Sequence, residues 1–139
     1  MARFPLPELD FEGTRPFFEA AARRELRIPH CAGCEAFVWY PRPACRACGQ
    51  APLWKAVSGR GTLHAFTIVR HAFAPAFAPL VPYATGLVAL AEDPSVRLAT
   101  LLVDCEPEAL RVDQPVRVVF RALPYEGGEA ILAPLFTPA

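Results

Sequence analysis

Two closely spaced pairs of cysteines most constrain how this chain can fold. Cys31 and Cys34 form one Cys-x-x-Cys pair, Cys45 and Cys48 form another, and ten residues separate the two pairs. Each pair can direct two sulfurs toward one point, so two pairs together supply the four thiolates of a tetrahedral Zn²⁺ site. Four protein ligands leave no open position for water or substrate. The spacing therefore predicts a closed, structural zinc centre.

Other roles for this cluster find less support in the surrounding sequence. A thioredoxin-like redox motif requires a β-α-β context, which neither pair has. His30 adjoins Cys31, but with four thiolates available we expect it to be a neighbouring or surface side chain. Gly33 and Gly49 stand where such metal-binding turns often need a positive φ. We therefore expect the cluster to hold structure in place and to carry no redox chemistry.

The residues between the cysteine pairs are unusually aromatic. Phe37, Trp39 and Tyr40 are followed by Pro-Arg-Pro at 41–43. The metal that the two flanking cysteine pairs share would hold this segment rigid, and its prolines would stiffen it further. We expect the segment to be a docking surface for the barrel and for a partner.

The overall composition favours one cytoplasmic domain with an appended module. Of the 139 residues, 53% are hydrophobic and 20% are charged, which is enough apolar material for a core. Lys plus Arg equals Asp plus Glu at 14 each, whereas proteins that bind nucleic acid usually carry a basic excess. The sequence starts without a signal-like apolar stretch, and no segment approaches 18 uninterrupted apolar residues. We therefore expect a cytoplasmic protein that is not inserted in a membrane.

Local patterns divide the chain into an N-terminal arm and helix (1–26), a zinc ribbon (27–52) and a barrel (53–139). Thr14 is the predicted N-cap of a helix that continues to about Arg24. Its expected apolar stripe consists of Phe17, Phe18, Ala21 and Ala22. The ribbon is predicted to contain two short antiparallel strands, 25–31 and 35–45, each leading into a cysteine pair.

Beyond Gln50 the pattern becomes that of a mainly β protein. The segment 53–70 predicts either a strand pair or one long kinked strand, with Ser58, Gly59 and Gly61 at the bend. About five strands follow in total, with one short helical crossover between the third and fourth and a turn at 126–129. This order matches a five-stranded Greek-key barrel of the OB type. A fragment of a β-sandwich is the structural alternative.

The segment 71–83 has no Lys, Arg, Asp or Glu and contains three prolines. Prolines at this density exclude a ladder or a helix interior, so a loop is predicted. Its apolar side chains must be covered, either by the protein itself as a lid over the barrel or against the helix, or by a ligand or partner. They are Phe73, Phe77, Leu80 and Tyr83.

The fifth cysteine, Cys105, is expected to be a small hydrophobic side chain. A nucleophilic role would need a histidine beside it, and nothing in the sequence places His64 or His71 there. We therefore expect no catalytic residues, with a free-standing enzyme that uses Cys105 or a histidine as a lesser hypothesis.

Taken in order, these motifs resemble those of the zinc-ribbon plus OB-fold acyl-CoA-associated family, domain-of-unknown-function 35. The resemblance rests on RPFFEAAARREL, CAGC, YPRPACRACG, PYATGLVALAED and LLVDCEPEALRVDQPVRVVF, and it covers roughly residues 14–139. Members of this family are similar in pairing a rubredoxin-like ribbon with a barrel. They act as non-catalytic partners of thiolase-like enzymes, acyl-CoA hydratases or aldolases in acyl-CoA, lipid or steroid metabolism.

The resemblance implies a hetero-oligomeric accessory subunit with structural Zn²⁺ at Cys31, Cys34, Cys45 and Cys48. It also implies that the barrel and its loops approach a CoA or acyl-CoA thioester. The CoA contacts that it suggests are Arg70, His71, Phe73 and Tyr83. The alternative function is a single-stranded nucleic-acid-binding ribbon and OB module, which the zero net charge disfavours.

Overall fold

A computed structural model describes residues 3–127 and 130–139. The first two residues of the expected arm and residues 128 and 129 of the expected turn at 126–129 lie outside these ranges. The elements, in chain order, are α1 (Arg15–Ala22), β1 (Leu26–Cys31), β2 (Ala36–Phe37), β3 (Leu53–Val57), β4 (Arg60–Val69), β5 (Tyr83–Leu90), β6 (Arg97–Leu102), β7 (Pro115–Ala122) and β8 (Leu132–Pro138). Two 3₁₀ helices, Pro75–Leu80 and Pro107–Ala109, precede β5 and β7.

The five later strands close into a barrel in the order β4-β5-β6-β8-β7. Neighbouring strands are antiparallel except β6 and β8, which run parallel where Leu102 lies opposite Phe136. The 3₁₀ helix Pro107–Ala109 connects the third barrel strand to the fourth. This is the strand order of an OB fold, so the predicted mainly β barrel with its short helical crossover is confirmed.

The cysteine-rich segment forms a separate three-stranded sheet in the order β2-β1-β3. β3 pairs with β1 along its whole length, from Leu53 opposite His30 to Val57 opposite Leu26. The chain turns into the barrel only after β3, at Gly59, where φ is +79°. Residues 53–57 thus lie in the ribbon sheet, although the sequence division groups them with the barrel. The proposed domain boundaries stay a prediction.

The helix α1 is shorter than the sequence pattern indicates. It begins after Thr14, whose side chain makes no capping hydrogen bond, and it ends at Ala22 because Arg24 adopts a left-handed conformation with φ of +60°. Its fully buried residues are Ala20 and Ala21, so Ala22 is wrongly placed in the predicted apolar stripe. No helix among the described residues is both long and apolar enough to cross a membrane.

One core spans the barrel and the base of the ribbon. Leu26 and Ile28 of β1 pack in the same buried cluster as Leu63, Val88 and Phe136 of the barrel. A second, smaller cluster surrounds the cysteines and consists of Cys31, Val38 and Cys45. The ribbon is therefore anchored in the barrel core at one end and depends on its own centre at the other.

Candidate metal centre and apolar surfaces

The four cysteines of the ribbon converge on one point. Their Sγ atoms all lie within 4.8 Å of one another. The Sγ atoms of Cys31 and Cys48 are 3.3 Å apart, and those of Cys34 and Cys45 are 4.0 Å apart. Zn–S bonds of about 2.3 Å in a tetrahedron place the sulfurs about 3.8 Å from each other. These separations exceed the length of a disulfide, about 2.05 Å, and they fit a four-thiolate zinc site.

Two turns with different surroundings supply these ligands. Cys31 ends β1 and is buried, whereas Cys34 is exposed in the turn that leads to β2. In the second turn Cys45 is buried and Cys48 is exposed. The backbone N–H of Cys45 donates to the carbonyl of Gln50 at 2.8 Å, which closes this turn before β3 begins.

A left-handed residue follows the second cysteine of each turn. It is Gly49 in one turn, with φ of +75°, and Glu35 in the other, with φ of +54°. The expectation of a positive φ is therefore met at Gly49 and is wrong at Gly33. A Cβ at Gly33 would lie 2.9 Å from the side-chain oxygen of Gln50, the end of a flexible and exposed side chain that can move aside.

The electrostatics of the cluster differ between its members. Backbone N–H groups of Cys48 and Ala47 donate to the Cys45 sulfur and lower the pKa of that thiol to about 7. A hydrogen bond with Cys48, together with desolvation, raises the pKa of the Cys34 thiol to about 12. One ligand is thus prepared as a thiolate near neutral pH, while another must lose its proton when metal binds.

The segment between the cysteine pairs is less regular than predicted. β2 ends at Phe37 and not near Ala44, because Pro41 and Pro43 have no N–H to donate to a neighbouring strand. Val38 still donates its backbone N–H to Pro29 of β1 at 2.8 Å, and beyond it Trp39 packs against the barrel core. Tyr40, the next residue, is 59% exposed.

The neighbours of Phe37 explain the position of His30. His30 packs edge-on against Phe37, with ring centroids 4.9 Å apart. The ammonium of Lys55 lies 5.9 Å from the centroid of the same ring. The set of converging metal-ligand atoms among the described residues contains four cysteines and not this histidine.

A groove of about 530 Å³ opens where the N-terminal arm, α1, the segment 38–43 and the barrel meet. We call it the junction groove. Its lining residues are Glu8, Phe11, Thr14, Phe17, Phe18, Trp39, Tyr40, Pro41, Leu87, Arg97, Leu98, Ala99, Pro134 and Phe136. The groove as a whole has no sequence signal, because its walls come from four separate segments. Parts of it are predicted separately, as the apolar stripe of α1 with Phe17 and Phe18 and as the aromatic segment with Trp39 and Tyr40.

The loop 71–83 is held by the N-terminal arm. The rings of Phe77 and Phe4 meet edge-on with centroids 5.2 Å apart, and Phe4 also packs near Tyr125 at 6.4 Å. Phe4 donates its backbone N–H to Pro124 at 2.8 Å and accepts from Glu126 at 2.9 Å. Part of the loop is therefore covered by the protein itself, as one interpretation expects.

Another part of the same loop is uncovered. Phe73 is 94% exposed, and Leu80 is 37% exposed. The predicted loop contains a 3₁₀ helix, Pro75–Leu80, which turns Phe77 inward while Phe73 projects outward. The loop therefore combines a covered and an exposed apolar side.

The residues suggested for CoA fall into two places. His71 packs edge-on against Phe73 with ring centroids 4.9 Å apart, and Arg70 beside them forms an exposed ion pair with Glu108. Tyr83 is half-buried and lies near Phe77, with ring centroids 6.4 Å apart. Whether any of these residues contacts CoA stays a prediction.

Cys105 is half-buried beside the barrel core. Burial, with the carboxylates of Asp104 and Glu106, raises the pKa of its thiol. Among the hydrogen bonds of the described residues, none joins Cys105 to His64 or His71. A thiol in this setting remains protonated at neutral pH, which is unfavourable for a nucleophile.

Comparison with known families identifies both parts of the fold. Residues 18–52 match the family described as "ChsH2, rubredoxin-like zinc ribbon domain". Residues 54–121 match the family described as "ChsH2, C-terminal OB-fold domain".

Two similar proteins have names that refer to enzyme assemblies. The chain is 34% identical over 125 residues to a protein of Thermomonospora curvata named "Probable enoyl-CoA hydratase alpha subunit". That match covers 88% of this chain but only 36% of the relative, so the chain spans about a third of its length. A "DUF35 domain-containing scaffold protein" of Methanothermobacter thermautotrophicus is 27% identical, with 88% of this chain and 91% of the relative covered.

Solved structures agree with the fold. The structure titled "Ltp2-ChsH2(DUF35) aldolase" contains a chain that is 30% identical, with a TM-score of 0.80 and coverage of 96% of this chain and 98% of that one. A DUF35 protein of Sulfolobus solfataricus has a TM-score of 0.61 at 10% identity, covering 95% of this chain and 89% of that one, which shows the fold alone. These matches confirm the predicted ribbon and barrel.

Proposed function

Because this chain belongs to the DUF35 family, which joins a ChsH2-type zinc ribbon to an OB-fold domain, we propose that it is a non-catalytic scaffold subunit of an acyl-CoA-processing enzyme. The names of its relatives support this proposal, since two DUF35 relatives are called scaffold proteins. The names of a hydratase subunit and of an aldolase suggest what kind of enzyme the partner is.

The observation that carries the proposal is an exposed aromatic surface where the N-terminal arm meets the segment between the cysteine pairs. Tyr40 is 59% exposed and Phe11 is 57% exposed, and both line the junction groove. Exposed aromatic residues on a rigid support are typical of the residues that dominate binding energy in protein interfaces. We propose that this surface, which we call the finger surface, docks on the partner.

We further propose that the start of the loop 71–83 approaches the CoA part of the partner's substrate. Phe73 is almost fully exposed, and His71 and Arg70 lie beside it. A guanidinium binds phosphate well, and here it would exchange Glu108 for the phosphate. Tyr83 contributes from below, by supporting Phe77.

The scaffold role is tested by co-expression. The chain, tagged and produced with the thiolase-like, hydratase-like or aldolase-like proteins encoded near its gene, should co-elute with one of them in a defined ratio. The isolated chain should show no turnover of acyl-CoA substrates. Turnover by the isolated chain that is lost in Cys105→Ser would instead support the free-standing enzyme.

The CoA contact is tested separately on the purified complex. Acyl-CoA should raise the melting temperature of the complex, and Arg70→Ala or Phe73→Ala should reduce that shift. Arg117→Ala serves as a control, because Arg117 is an exposed arginine on β7 outside this loop. An unchanged shift in the loop variants would remove the CoA contact from the proposal. Salt-sensitive binding of the isolated chain to single-stranded DNA would favour the nucleic-acid module.

A further inference from the structure

The junction groove has the size and chemistry of a small-molecule site. Ligand pockets typically measure about 300–1,000 Å³ and are lined by apolar and aromatic side chains with few polar groups, and a groove of about 530 Å³ falls within this range. Four separate segments of the chain wall it, so it is a concavity and not a flat face. Leu87, on its barrel side, is 38% exposed. An apolar concavity of this kind is unfavourable when it is filled only with water.

Two charged side chains line the groove, Arg97 from β6 and Glu8 from the arm, together with the polar groups of Thr14, Trp39 and Tyr40. Arg97 takes part in none of the ion pairs and side-chain hydrogen bonds that the described residues form. The same is true of Glu8, and the Thr14 hydroxyl makes no capping bond. The groove thus offers one cation, Arg97, and the hydroxyls of Thr14 and Tyr40 to bind an oxygen acceptor.

We propose that the junction groove binds a medium-chain carboxylic acid or its thioester, with the hydrocarbon chain on the apolar walls and the oxygen-bearing head at Arg97. The walls provide the hydrophobic driving force, and the guanidinium provides a charge-assisted hydrogen bond. Glu8 repels an anionic head, so the head lies at the Arg97 side of the groove. That the ligand is the acyl group of a CoA thioester rests on the proposed function. The existence of the site does not.

This site differs from the loop 71–83. None of Arg70, His71, Phe73 and Tyr83 lines the junction groove. A thioester held in the groove would therefore place its acyl chain against Phe11 and Tyr40, which also form the finger surface. An acyl group bound there would also lie next to the docked partner.

Tryptophan fluorescence reports on this groove directly. The chain has two tryptophans, and of these Trp39 lines the groove whereas Trp54 lies elsewhere in the ribbon. In a Trp54→Phe background, titration with sodium octanoate should produce a saturable change in emission. Octanoyl-CoA should do the same, and CoA alone should not. Saturation by octanoate alone supports a site for a free acid. Saturation by both octanoate and octanoyl-CoA supports a site that also accepts the thioester.

Two variants locate the binding. Arg97→Gln should weaken octanoate binding about tenfold, because a charge-assisted hydrogen bond is lost, and it should leave the binding of uncharged octanol unchanged. Ala99→Phe should abolish binding of both compounds, since Ala99 lies beside Leu87 on the barrel wall of the groove and a larger side chain there would fill it. Arg117→Gln is the matched control, because it removes an exposed arginine outside the groove.

The proposal is overturned if neither octanoate nor octanoyl-CoA gives a saturable signal at millimolar concentration. It is equally overturned if Ala99→Phe and Arg97→Gln bind as the parent does. Co-elution with an enzyme partner but no ligand binding would contradict this site and leave the scaffold function intact. Ligand binding combined with failure to co-elute with any of the co-expressed enzymes would contradict the scaffold function and leave the site intact.

Discussion

Single left-handed residues shape both turns of the metal centre. Gly49 and Glu35 occupy equivalent positions, each directly after the second cysteine of its pair. Glycine adopts this conformation without steric cost, whereas a residue with a Cβ pays about 1–2 kcal/mol for it. Replacing Gly49 by a residue with a Cβ should therefore be destabilising, whereas replacing Glu35 by glycine should not.

We expect Gly49→Ala to lower the free energy of unfolding of the zinc-loaded protein by about 1 kcal/mol. Nothing lies within 4 Å of a Cβ at this position, so the cost is one of backbone conformation and not of collision. Glu35→Gly is the counterpart, and it should lose little or gain stability because relief of strain offsets the added chain entropy. Urea denaturation measures both, and equal losses in the two variants would refute this explanation.

Residue chemistry explains how much of the site the sequence could predict. The spacing of Cys31, Cys34, Cys45 and Cys48 was enough to predict their convergence, because a thiolate cluster is encoded locally. The spacing did not predict the conformation at Gly33. The nearest atoms to an added Cβ there belong to Gln50, at the far end of the second turn. Likewise, Arg97 gave no signal in the sequence, because its groove forms only when distant segments meet.

At the scale of elements, the N-terminal arm acts as a strap across the loop 71–83. Phe4 makes two backbone hydrogen bonds to the segment between β7 and β8, and its ring contacts Phe77. Sequence patterns predicted the loop and gave two ways of covering it. They did not predict the strap, because a single aromatic residue in a proline-rich arm has no periodicity to detect.

We expect Phe4→Ala to increase amide hydrogen exchange in residues 74–83 while the barrel strands keep their protection. Loss of the edge-on contact leaves Phe77 without its aromatic neighbour in the arm, so local opening of the loop costs less free energy. Phe73→Ala is the control, because its side chain is 94% exposed and its aromatic contact is with His71, outside residues 74–83. Equal exchange in the parent and in Phe4→Ala would show that the arm does not hold the loop.

The strand patterns were most informative where one face is buried. The sequence predicts the five barrel strands and their crossover, and alternation is clearest in β6 and in the first half of β4. The sequence division groups residues 53–57 with the barrel, whereas β3 pairs with β1 in the ribbon sheet and the chain turns into the barrel at Gly59.

On the scale of the whole molecule, two packing centres divide the ribbon. Leu26 and Ile28 belong to the barrel core, while the cysteine cluster is a separate centre at the far end of the same sheet. We therefore expect metal to stabilise only the outer part of the ribbon. The cysteine spacing predicts the structural site but does not show that β1 enters the barrel core.

We expect Cys31→Ser, or zinc removal by a chelator, to disorder residues 31–50 and leave the barrel folded. A structural site whose metal is lost no longer holds its turns together, whereas the barrel core contains no metal ligand. Amide exchange measured before and after chelation distinguishes the two parts. Simultaneous loss of protection in β4–β8 would show that the molecule has a single cooperative centre.

The scaffold role depends most directly on the finger surface, so the decisive measurement is the affinity of the enzyme partner for two matched variants. Tyr40→Asp alters an aromatic residue of the finger surface, and Val112→Asp alters a similarly exposed apolar residue, 55% exposed, between the second 3₁₀ helix and β7. Isothermal titration of the zinc-loaded proteins should show binding weakened at least about tenfold by Tyr40→Asp, as for an interface hot spot. Val112→Asp should bind like the parent. Equal affinity for Tyr40→Asp and the parent would contradict the assignment of this surface as the docking site.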